Sequence, residues 1–426
     1  LNPAYRADEF EFYLSDLDAK ALIVEHGSQS PAVAVAQKLG VRIVELTPAA
    51  EGAGAFTLAE PVPQAATAPV HPGFAQADDI ALILHTSGTT SRPKIVPLSH
   101  RNVCASATNV RDTLQLRAAD CGLNIMPLFH IHGLIAGLLA PLSAGSTIFC
   151  SPGFNALKFF GWMSEAKPTW YTAVPTMHQA ILSRAAHSRD VIAAHPLRFM
   201  RSSSSSMPPQ VITELEQVFG APLVEAYGMT EAAHQMASNP LPPGKRIPGT
   251  VGLAAGPEVA IMDSEGKLLA PGETGEIVIR GPNVTKGYEN NPKANGEAFA
   301  HGWFRTGDQG TKDAEGYLRI TGRLKEIISR GGEKISPREV DEILMDHPAV
   351  QQVVTFGIPH DKLGEEVGAV IVLREGASAS EKELRDFAAI RLADFKVPRR
   401  ILFMDEIPKG ATGKLQRIGL AAKLGL

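Results

Sequence analysis

Short apolar runs alternate with amphipathic segments from residue 80 onward, and this alternation constrains the fold more than any other feature. Strands that alternate with helices form a parallel sheet covered by helices. The pattern begins earlier, with ALIVE (21–25) and VRIVEL (41–46), while the Ala/Pro/Gly-rich stretch 49–77 is interpreted as a surface linker. The candidate elements are strands IALIL (80–84), NIMPL (124–128), STIFC (146–150), TWYTAV (169–174) and LRFM (197–200), and a helix over PQVITELEQVFG (209–220).

The sequence changes character after about residue 245, where short strands are separated by Gly/Pro turns. This pattern predicts a compact antiparallel β unit over about 245–322, at the end of an N-terminal domain 1–322. Residues 323–426 then predict a small α+β domain. Its helices begin at the capping boxes Ser336–Glu339 and Ser380–Glu383, and its strands are VVTF (353–356), GAVIVL (368–373) and ILFM (401–404).

Composition excludes several classes of protein. The length of 426 residues indicates roughly two to three domains, and 44% hydrophobic with 20% charged residues is typical of a soluble globular protein. A net charge of -4 gives no broad basic face for nucleic acid. No apolar run approaches the ~18 residues of a membrane span, and no secretory signal is visible. Three cysteines without metal-ligand spacing indicate a reducing compartment, here the cytoplasm.

The stretch LHTSGTTSRPK (84–94) follows an apolar run that is interpreted as a buried strand. Its hydroxyl side chains, Gly88 and Lys94 are the groups that bind phosphate. It is not a Walker A motif, because the lysine follows Pro93 without a second glycine. A solvated Ser/Thr-rich turn is the alternative.

Four further stretches combine glycine with polar side chains. In AYGMTEA (226–232), Tyr227 could stack on a flat base and Glu231 could bind a divalent cation, unless the segment is only a turn capped by Thr230. GWFRTGDQG (302–310) places Asp308 in a Gly-bracketed turn, where aspartate usually only caps. ITGRLKEIISRGGEKISP (320–337) has a charged interdomain linker as its alternative interpretation, and PKGATGKLQR (408–417) has a solvated tail.

Taken together and in this order, these stretches resemble the superfamily of acyl- and aryl-CoA synthetases, luciferases and peptide-synthetase adenylation domains. The resemblance covers essentially the whole chain. It implies a large N-terminal domain of two α/β sheets and a β-barrel-like unit, followed by a small mobile C-terminal domain. Members have a longer N-terminal portion, so Leu1 is expected to lie inside the first subdomain of a truncated chain. Ile95 departs from the glycine that usually follows the loop lysine.

The resemblance implies two half-reactions. A carboxylate attacks the α-phosphate of ATP-Mg²⁺ to give an acyl-adenylate, and coenzyme A then displaces AMP. Catalysis is expected to come from positioning and electrostatics. Lys325 stands at the hinge position about which the small domain rotates, which withdraws Lys414 and presents Gly331 and Gly332 to coenzyme A.

The resemblance also assigns roles within the ATP site. Tyr227 stacks on adenine, Asp308 and Arg323 hold the ribose, and Glu231 binds Mg²⁺. The implied catalytic residues are Lys414, Thr230, Glu231 and His130. The implied ATP-binding residues are Thr86, Ser87, Gly88, Thr89, Thr90, Lys94, Ser205, Glu225, Ala226, Tyr227, Gly228, Thr230, Asp308, Arg323 and Lys414.

The acid should be bound by PLFHIHG (127–133), RSSSSSMPP (201–209) and TEAAHQM (230–236), which provide His130, His132, Ser204 and His234. This polar set suits a small acid with a second carboxylate, and the serine run resembles the oxalate–CoA ligase branch. A protonated His234 is expected to pair the second carboxylate, with Arg201 pointing back into its strand. The alternatives are a ligase for malonate or another short-chain or aryl acid, an adenylation domain that serves a carrier protein, and a non-enzymatic AMP-binding module. The partners are therefore small molecules, and the protein is expected to be a monomer or homodimer.

Overall fold

The computed structural model describes residues 1–50, 52, 54–60, 73–86, 93–408, 415 and 417–426. They form two compact units, Leu1–Phe74 and Ala75–Leu426. The predicted boundary at residue 322 stays a prediction.

The first unit is a small α/β layer. Strands Ala21–Glu25 and Arg42–Pro48 are parallel, and helices Ala7–Asp16 and Pro31–Leu39 bury Phe10, Leu14 and Val35 on one side. A third strand, Phe56–Ala59, pairs antiparallel with the second strand. The interpretation of 49–77 as a linker is therefore wrong for these four residues, because their backbone hydrogen bonds are made to a neighbouring strand.

A seven-stranded sheet forms the centre of the second unit. Its five neighbouring strands from Thr147–Cys150 to Leu223–Met229 are parallel, and the last two strands pair antiparallel. Parallel strands need crossover connections, which the alternating pattern of the sequence supplies. The strand order is Leu253–Ala254, His234–Ser238, Leu223–Met229, Phe199–Ser202, Trp170–Ala173, Cys121–Asn124, Thr147–Cys150.

Helices cover this sheet. Pro209–Phe219 begins with a proline at its first turn and ends at Gly220 in a left-handed conformation (φ 62°), as the sequence predicts. Its apolar side includes Leu215, which is fully buried; such burial contributes about 1.5–3 kcal/mol. The other helical segments are His100–Thr113, the π-helix His132–Leu139, Ala140–Ser143, Phe159–Ala166, Pro175–Ala185, Ala186–Ser188, Arg189–Ala194 and Thr230–Ala232.

The strand before the phosphate-loop stretch is not a buried member of the parallel sheet. Ile80–His85 pairs antiparallel with Ile95–Ser99 in a two-stranded sheet. Ile80 and Ile83 are 53% and 43% exposed. The apolar run indicated a strand, but which face is covered depends on contacts that the run itself does not encode.

The predicted β unit is an antiparallel sheet. Its strands are Glu258–Met262, Thr274–Arg280, Phe299–Ala300, Trp303–Lys312 and Leu318–Arg323, with helix Pro292–Ala298 before the third strand. Asp308 lies inside the ten-residue strand Trp303–Lys312 and not in a turn. The turn prediction was wrong because cross-strand pairing continues past the irregularity at Gly307 (φ 74°), and Asp308 pairs directly with Arg323.

The C-terminal segment is the predicted α+β arrangement. Ser380 caps helix Glu381–Ala389 with both bonds of a capping box, and Ser336 accepts from the N–H of Glu339 at the start of helix Pro337–Met345. The remaining elements are strands Ile328–Arg330, Glu333–Ile335, Val350–His360, Gly364–Leu373 and Arg400–Phe403, and helical turns Asp394–Lys396 and Leu420–Lys423. The fold class is confirmed. No helix in the described parts of the chain is long and apolar enough to cross a membrane.

Candidate active site

Three predicted nucleoside-binding residues lie together where the central sheet meets the β unit. The hydroxyl of Tyr227 donates to Oδ2 of Asp308 at 2.5 Å, and Nε of Arg323 lies 3.0 Å from Oδ1 of the same carboxylate. Burial raises the pKa of Asp308, and the charge of Arg323 and the bond from Tyr227 oppose this shift. The carboxylate is therefore held in one orientation from both sides.

Glu231, the predicted Mg²⁺ ligand, is 6% exposed. Burial raises its pKa, while bonds from its own backbone and from the hydroxyl of Tyr288, 2.8 Å from Oε1, favour the ionised form. The described residues form no cluster of three or more His, Cys, Asp or Glu that could hold a metal. A single carboxylate fits Mg²⁺ that arrives with ATP, because Mg²⁺ is commonly held by one or two carboxylates together with substrate phosphates.

Tyr288 was missed by the sequence analysis. Its ring lies under Nζ of Lys94, 4.4 Å from the ring centre, so one tyrosine contacts both the loop lysine and the predicted metal ligand. These residues are distant in sequence, and GYEN (287–290) carries no motif that the analysis identified.

The phosphate loop closes at its two ends. The N–H of Thr86 donates to the carbonyl of Lys94 at 2.9 Å, and the N–H of Lys94 donates to Oγ1 of Thr86 at 3.3 Å. The predicted phosphate ligands Ser87, Gly88, Thr89 and Thr90 lie outside the described residues, as does Lys414.

The predicted acid-binding residues lie in contact with one another. His132 begins the π-helix, a rare element often found at functional sites, and its Nδ1 lies 3.1 Å from Oγ of Ser204. The rings of His132 and His234 are stacked, with centroids 4.9 Å apart. Ser204 (φ 75°) and His234 (φ 104°) both have left-handed backbone conformations, which non-glycine residues seldom adopt and which concentrate at functional sites. His130 is half-buried, and its Nδ1 accepts from the N–H of His132 at 3.2 Å.

The expectation that the side chain of Arg201 points back into its strand was wrong. Its guanidinium is fully buried and contacts both histidines, 3.3 Å from Nε2 of His132 and 3.1 Å from Nε2 of His234. Guanidinium nitrogens only donate, so Nε2 of His234 is the acceptor in its bond with Arg201. Protonation of both nitrogens of His234 would break this bond, so the expected protonated His234 in the acid-bound enzyme stays a prediction. The sequence placed Arg201 at the start of the serine run but indicated no role for it, because alternation along a strand does not show which distant residues a side chain contacts.

The remaining predicted site residues lie in strand Leu223–Met229, in the turn that follows it, and in the serine run. Glu225 is buried, accepts from the N–H of Gly249 at 3.3 Å, and burial raises its pKa to about 8. Gly228 has no room for a side chain, because a Cβ there would lie 1.8 Å from the carbonyl oxygen of His234. Ala226 is buried and Ser205 is exposed. Thr230 begins the 3-10 turn Thr230–Ala232 next to Glu231.

The predicted hinge and coenzyme A segments lie beyond the β unit. Lys325 occupies the turn between strands Leu318–Arg323 and Ile328–Arg330. Gly331 (φ 59°) and Gly332 (φ 96°) form the turn that follows, and a Cβ on Gly332 would meet nothing within 4 Å. This turn is open enough for a backbone to approach a ligand closely.

Comparisons with known proteins identify the family to which the chain is similar. The family model described as AMP-binding enzyme matches residues 1–289, and the model of the AMP-binding enzyme C-terminal domain matches residues 339–414. An oxalate–CoA ligase of Arabidopsis thaliana is 48% identical over 98% of this chain and 81% of its own length. An oxalate–CoA ligase of Saccharomyces cerevisiae is 44% identical over 98% of this chain and 80% of its own length. The crystal structure of ATP-bound MatB from Rhodopseudomonas palustris has a TM-score of 0.86 at 31% identity, covering 99% of this chain and 82% of that one.

Proposed function

Because the chain belongs to the AMP-binding enzyme family, we propose that it is an ATP-dependent acid–CoA ligase acting on oxalate. The reaction converts oxalate, ATP and coenzyme A into oxalyl-CoA, AMP and pyrophosphate. The observation that carries this proposal is a cluster of buried polar side chains in which Ser204 and Arg201 both contact His132, and Arg201 also contacts His234. The two relatives named as oxalate–CoA ligases support the choice of acid.

The pocket favours a dianion on electrostatic grounds. One carboxylate of oxalate must attack phosphorus, so the other becomes a buried charge, which costs several kcal/mol unless it is paired and hydrogen-bonded. Two imidazoles, a hydroxyl and a fixed positive charge can supply that pairing. A fatty-acid pocket would instead be lined mainly by apolar side chains.

Residues on the nucleotide side bind and orient ATP. Tyr227, Asp308 and Arg323 form one bonded set for the nucleoside, and Lys94 and Glu231 are joined through Tyr288 at the phosphate side. Mg²⁺ bound with ATP supplies charge neutralisation at the phosphates. The chain has to align the acid with the α-phosphate and exclude water, and this positioning does not require a protein nucleophile.

The second half-reaction requires a different arrangement of the chain. We propose that residues 323–426 rotate about Lys325, which removes Lys414 from the site and brings Gly331 and Gly332 toward the pantetheine arm of coenzyme A. The turn position of Lys325 and the open space at Gly332 support this assignment. We also propose that the enzyme works in a reducing compartment such as the cytoplasm, because its three cysteines are free thiols. We further propose that it is a monomer or homodimer.

A panel of acids tests the proposal. The purified chain is incubated with ATP, Mg²⁺, coenzyme A and oxalate, malonate, acetate or benzoate, and AMP release is compared with and without coenzyme A. We expect oxalate to give the highest kcat/KM. Preference for malonate, acetate or benzoate would replace the acid but keep the enzyme class. Pyrophosphate exchange without consumption of coenzyme A would favour transfer to a carrier protein, and AMP binding without turnover would favour a regulatory module.

A further inference from the structure

The guanidinium of Arg201 uses every terminal N–H on a neutral acceptor. One terminal nitrogen lies 3.3 Å from Nε2 of His132 and 3.4 Å from Oγ1 of Thr172. The other lies 3.1 Å from Nε2 of His234 and 3.2 Å from Oε1 of Gln235. The planar fork therefore holds the two stacked histidines next to each other, with one terminal nitrogen directed at each ring.

The charge of Arg201 has no counterion among the described residues. Its side chain is fully buried, no described carboxylate lies within ion-pair distance, and its Nε–H contacts no described acceptor. Burial lowers the pKa of Arg201 to about 9. A buried charge without a partner is costly, so the positive potential is a feature that an anion can satisfy.

The same contacts determine where the histidine protons are. Because a guanidinium only donates, Nε2 of His234 accepts from Arg201, which places the ring proton on Nδ1. Nε2 of His132 lies 2.6 Å from Oγ1 of Thr172 and 3.3 Å from Arg201, and accepting from both groups likewise leaves its proton on Nδ1. In His132 that nitrogen lies 3.1 Å from Oγ of Ser204. In His234 it lies beside Gly228, where an added Cβ would come within 3.2 Å of it. Both N–H groups thus face the segments assigned to the acid and to the adenylate.

We propose that Arg201 is a positioning residue that makes the acid pocket selective for dianions, by holding His132 and His234 as Nδ1–H donors and placing a fixed positive charge behind them. This inference rests on the proposed function of that pocket. Arg201 acts through the histidines, so it does not have to touch the acid. A monoanionic acid, whose only carboxylate is the nucleophile, gains nothing from this arrangement.

The test compares oxalate with oxamate, which has the same size but an amide in place of the second carboxylate. Arg201→Met removes the charge and the fork, and Arg201→Lys keeps the charge but has only three donors for four acceptors. Arg198→Met is the matched control, because it makes the same substitution at a nearby arginine that pairs with Asp120 at 2.8 Å and lies outside the segments assigned to the acid. The readout is acid-dependent pyrophosphate exchange, with competitive inhibition giving the affinity for an acid that is not turned over.

We expect Arg201→Met to lower kcat/KM for oxalate about 10- to 150-fold, which is the range for losing hydrogen bonds to a charged group. Arg201→Lys should fall between this variant and the wild type. The affinity for oxamate, and the values of both acids for Arg198→Met, should stay nearly unchanged. An equal loss for oxalate and oxamate would overturn the proposal, since a merely structural residue would affect both acids alike.

A spectroscopic readout does not depend on activity. In ¹⁵N-histidine spectra of the full chain, with signals assigned through His132→Gln and His234→Gln, both rings should be Nδ1–H tautomers. Arg201→Met should lose this preference. A wild-type spectrum with the proton of either ring on Nε2 would overturn the proposal, even if Arg201→Met failed to fold. If no acid is turned over while the tautomers are as expected, the proposed function fails and the arrangement of Arg201 does not.

Discussion

Replacing Tyr288 by phenylalanine tests the connection between the loop lysine and the predicted metal ligand. The substitution removes the hydroxyl that donates to Oε1 of Glu231 at 2.8 Å. It keeps an aromatic face under Nζ of Lys94, which lies 4.4 Å from the ring centre. The perturbation is therefore confined to one hydrogen bond to a carboxylate.

The expected effect depends on pH. Glu231 must be ionised to bind Mg²⁺, and burial already raises its pKa, so the ionised form is lost as pH falls through a value above the ordinary range. The hydroxyl of Tyr288 stabilises the ionised form, and removing it raises the pKa further. A hydrogen bond to a charged group contributes roughly 1.5–3 kcal/mol, so the ratio of protonated to ionised Glu231 at a given pH rises about 10- to 150-fold.

The assay is kcat/KM for MgATP in oxalate-dependent pyrophosphate exchange, measured across the pH range in which the folded enzyme is stable. The deficit of Tyr288→Phe should be largest at low pH and disappear at high pH. Tyr317→Phe is a matched control: both tyrosines are 7% exposed, and the hydroxyl of Tyr317 donates to the carbonyl of Lys245 at 2.6 Å, a bond that involves no predicted site residue. A pH profile that keeps its wild-type shape, or moves equally in the control, would refute the reasoning.

Three further predictions concern the predicted hinge, the second lysine and a buried carboxyl. Lys414→Ala should slow adenylate formation about 10²–10³-fold while thioester formation from supplied acyl-adenylate persists, as single-turnover assays of each step would show. Lys325→Pro should slow thioester formation more than adenylate formation, because proline fixes φ at the proposed hinge, while the N–H that the substitution removes donates to no described residue. Glu225→Gln should lose less melting temperature than the wild type as pH rises from about 4.5 to about 8, because burial raises the pKa of Glu225 to about 8 and the unfolded chain releases that proton earlier.

Each of these predictions has a contradicting result. Equal losses in both half-reactions of Lys414→Ala would remove the rotation from the mechanism. Normal thioester formation in Lys325→Pro, with Lys325→Ala as the control, would place the hinge elsewhere. Parallel melting curves of Glu225→Gln and wild type over that pH range would mean that Glu225 is ionised in the folded protein.

The sequence predicted the parts of the fold that depend on local pattern. Helix Pro209–Phe219 and the capped helix Glu381–Ala389 lie where periodicity and caps indicated them. Errors arose where long-range pairing decides the result. Asp308 lies in a strand because its backbone pairs with Arg323, and the apolar run 80–84 is partly exposed because it forms a separate ribbon with Ile95–Ser99.

The candidate site shows the same division. The motifs located Tyr227, Glu231 and the two buried histidines, since each stands in a short stretch with an unusual composition. They did not identify Tyr288, or assign a role to Arg201, because the importance of these residues comes from partners far away in sequence. A basic residue in a strand and a tyrosine after a glycine are common, and only the three-dimensional contacts distinguish them.

The contacts of Arg417 all lie within residues 323–426, the segment that is proposed to rotate. Arg417 donates to the carbonyl of Thr355 at 2.6 Å and to Glu326 at 2.8 Å, and it also pairs with Asp341. All three partners follow Lys325, so a rotation at that residue need not break any of these bonds. Lys414 precedes Arg417 by three positions, a length of chain that spans at most roughly 11 Å. If residues 323–426 rotate about Lys325 as proposed, Arg417 and its three partners move together, and the short connection requires Lys414 to follow them.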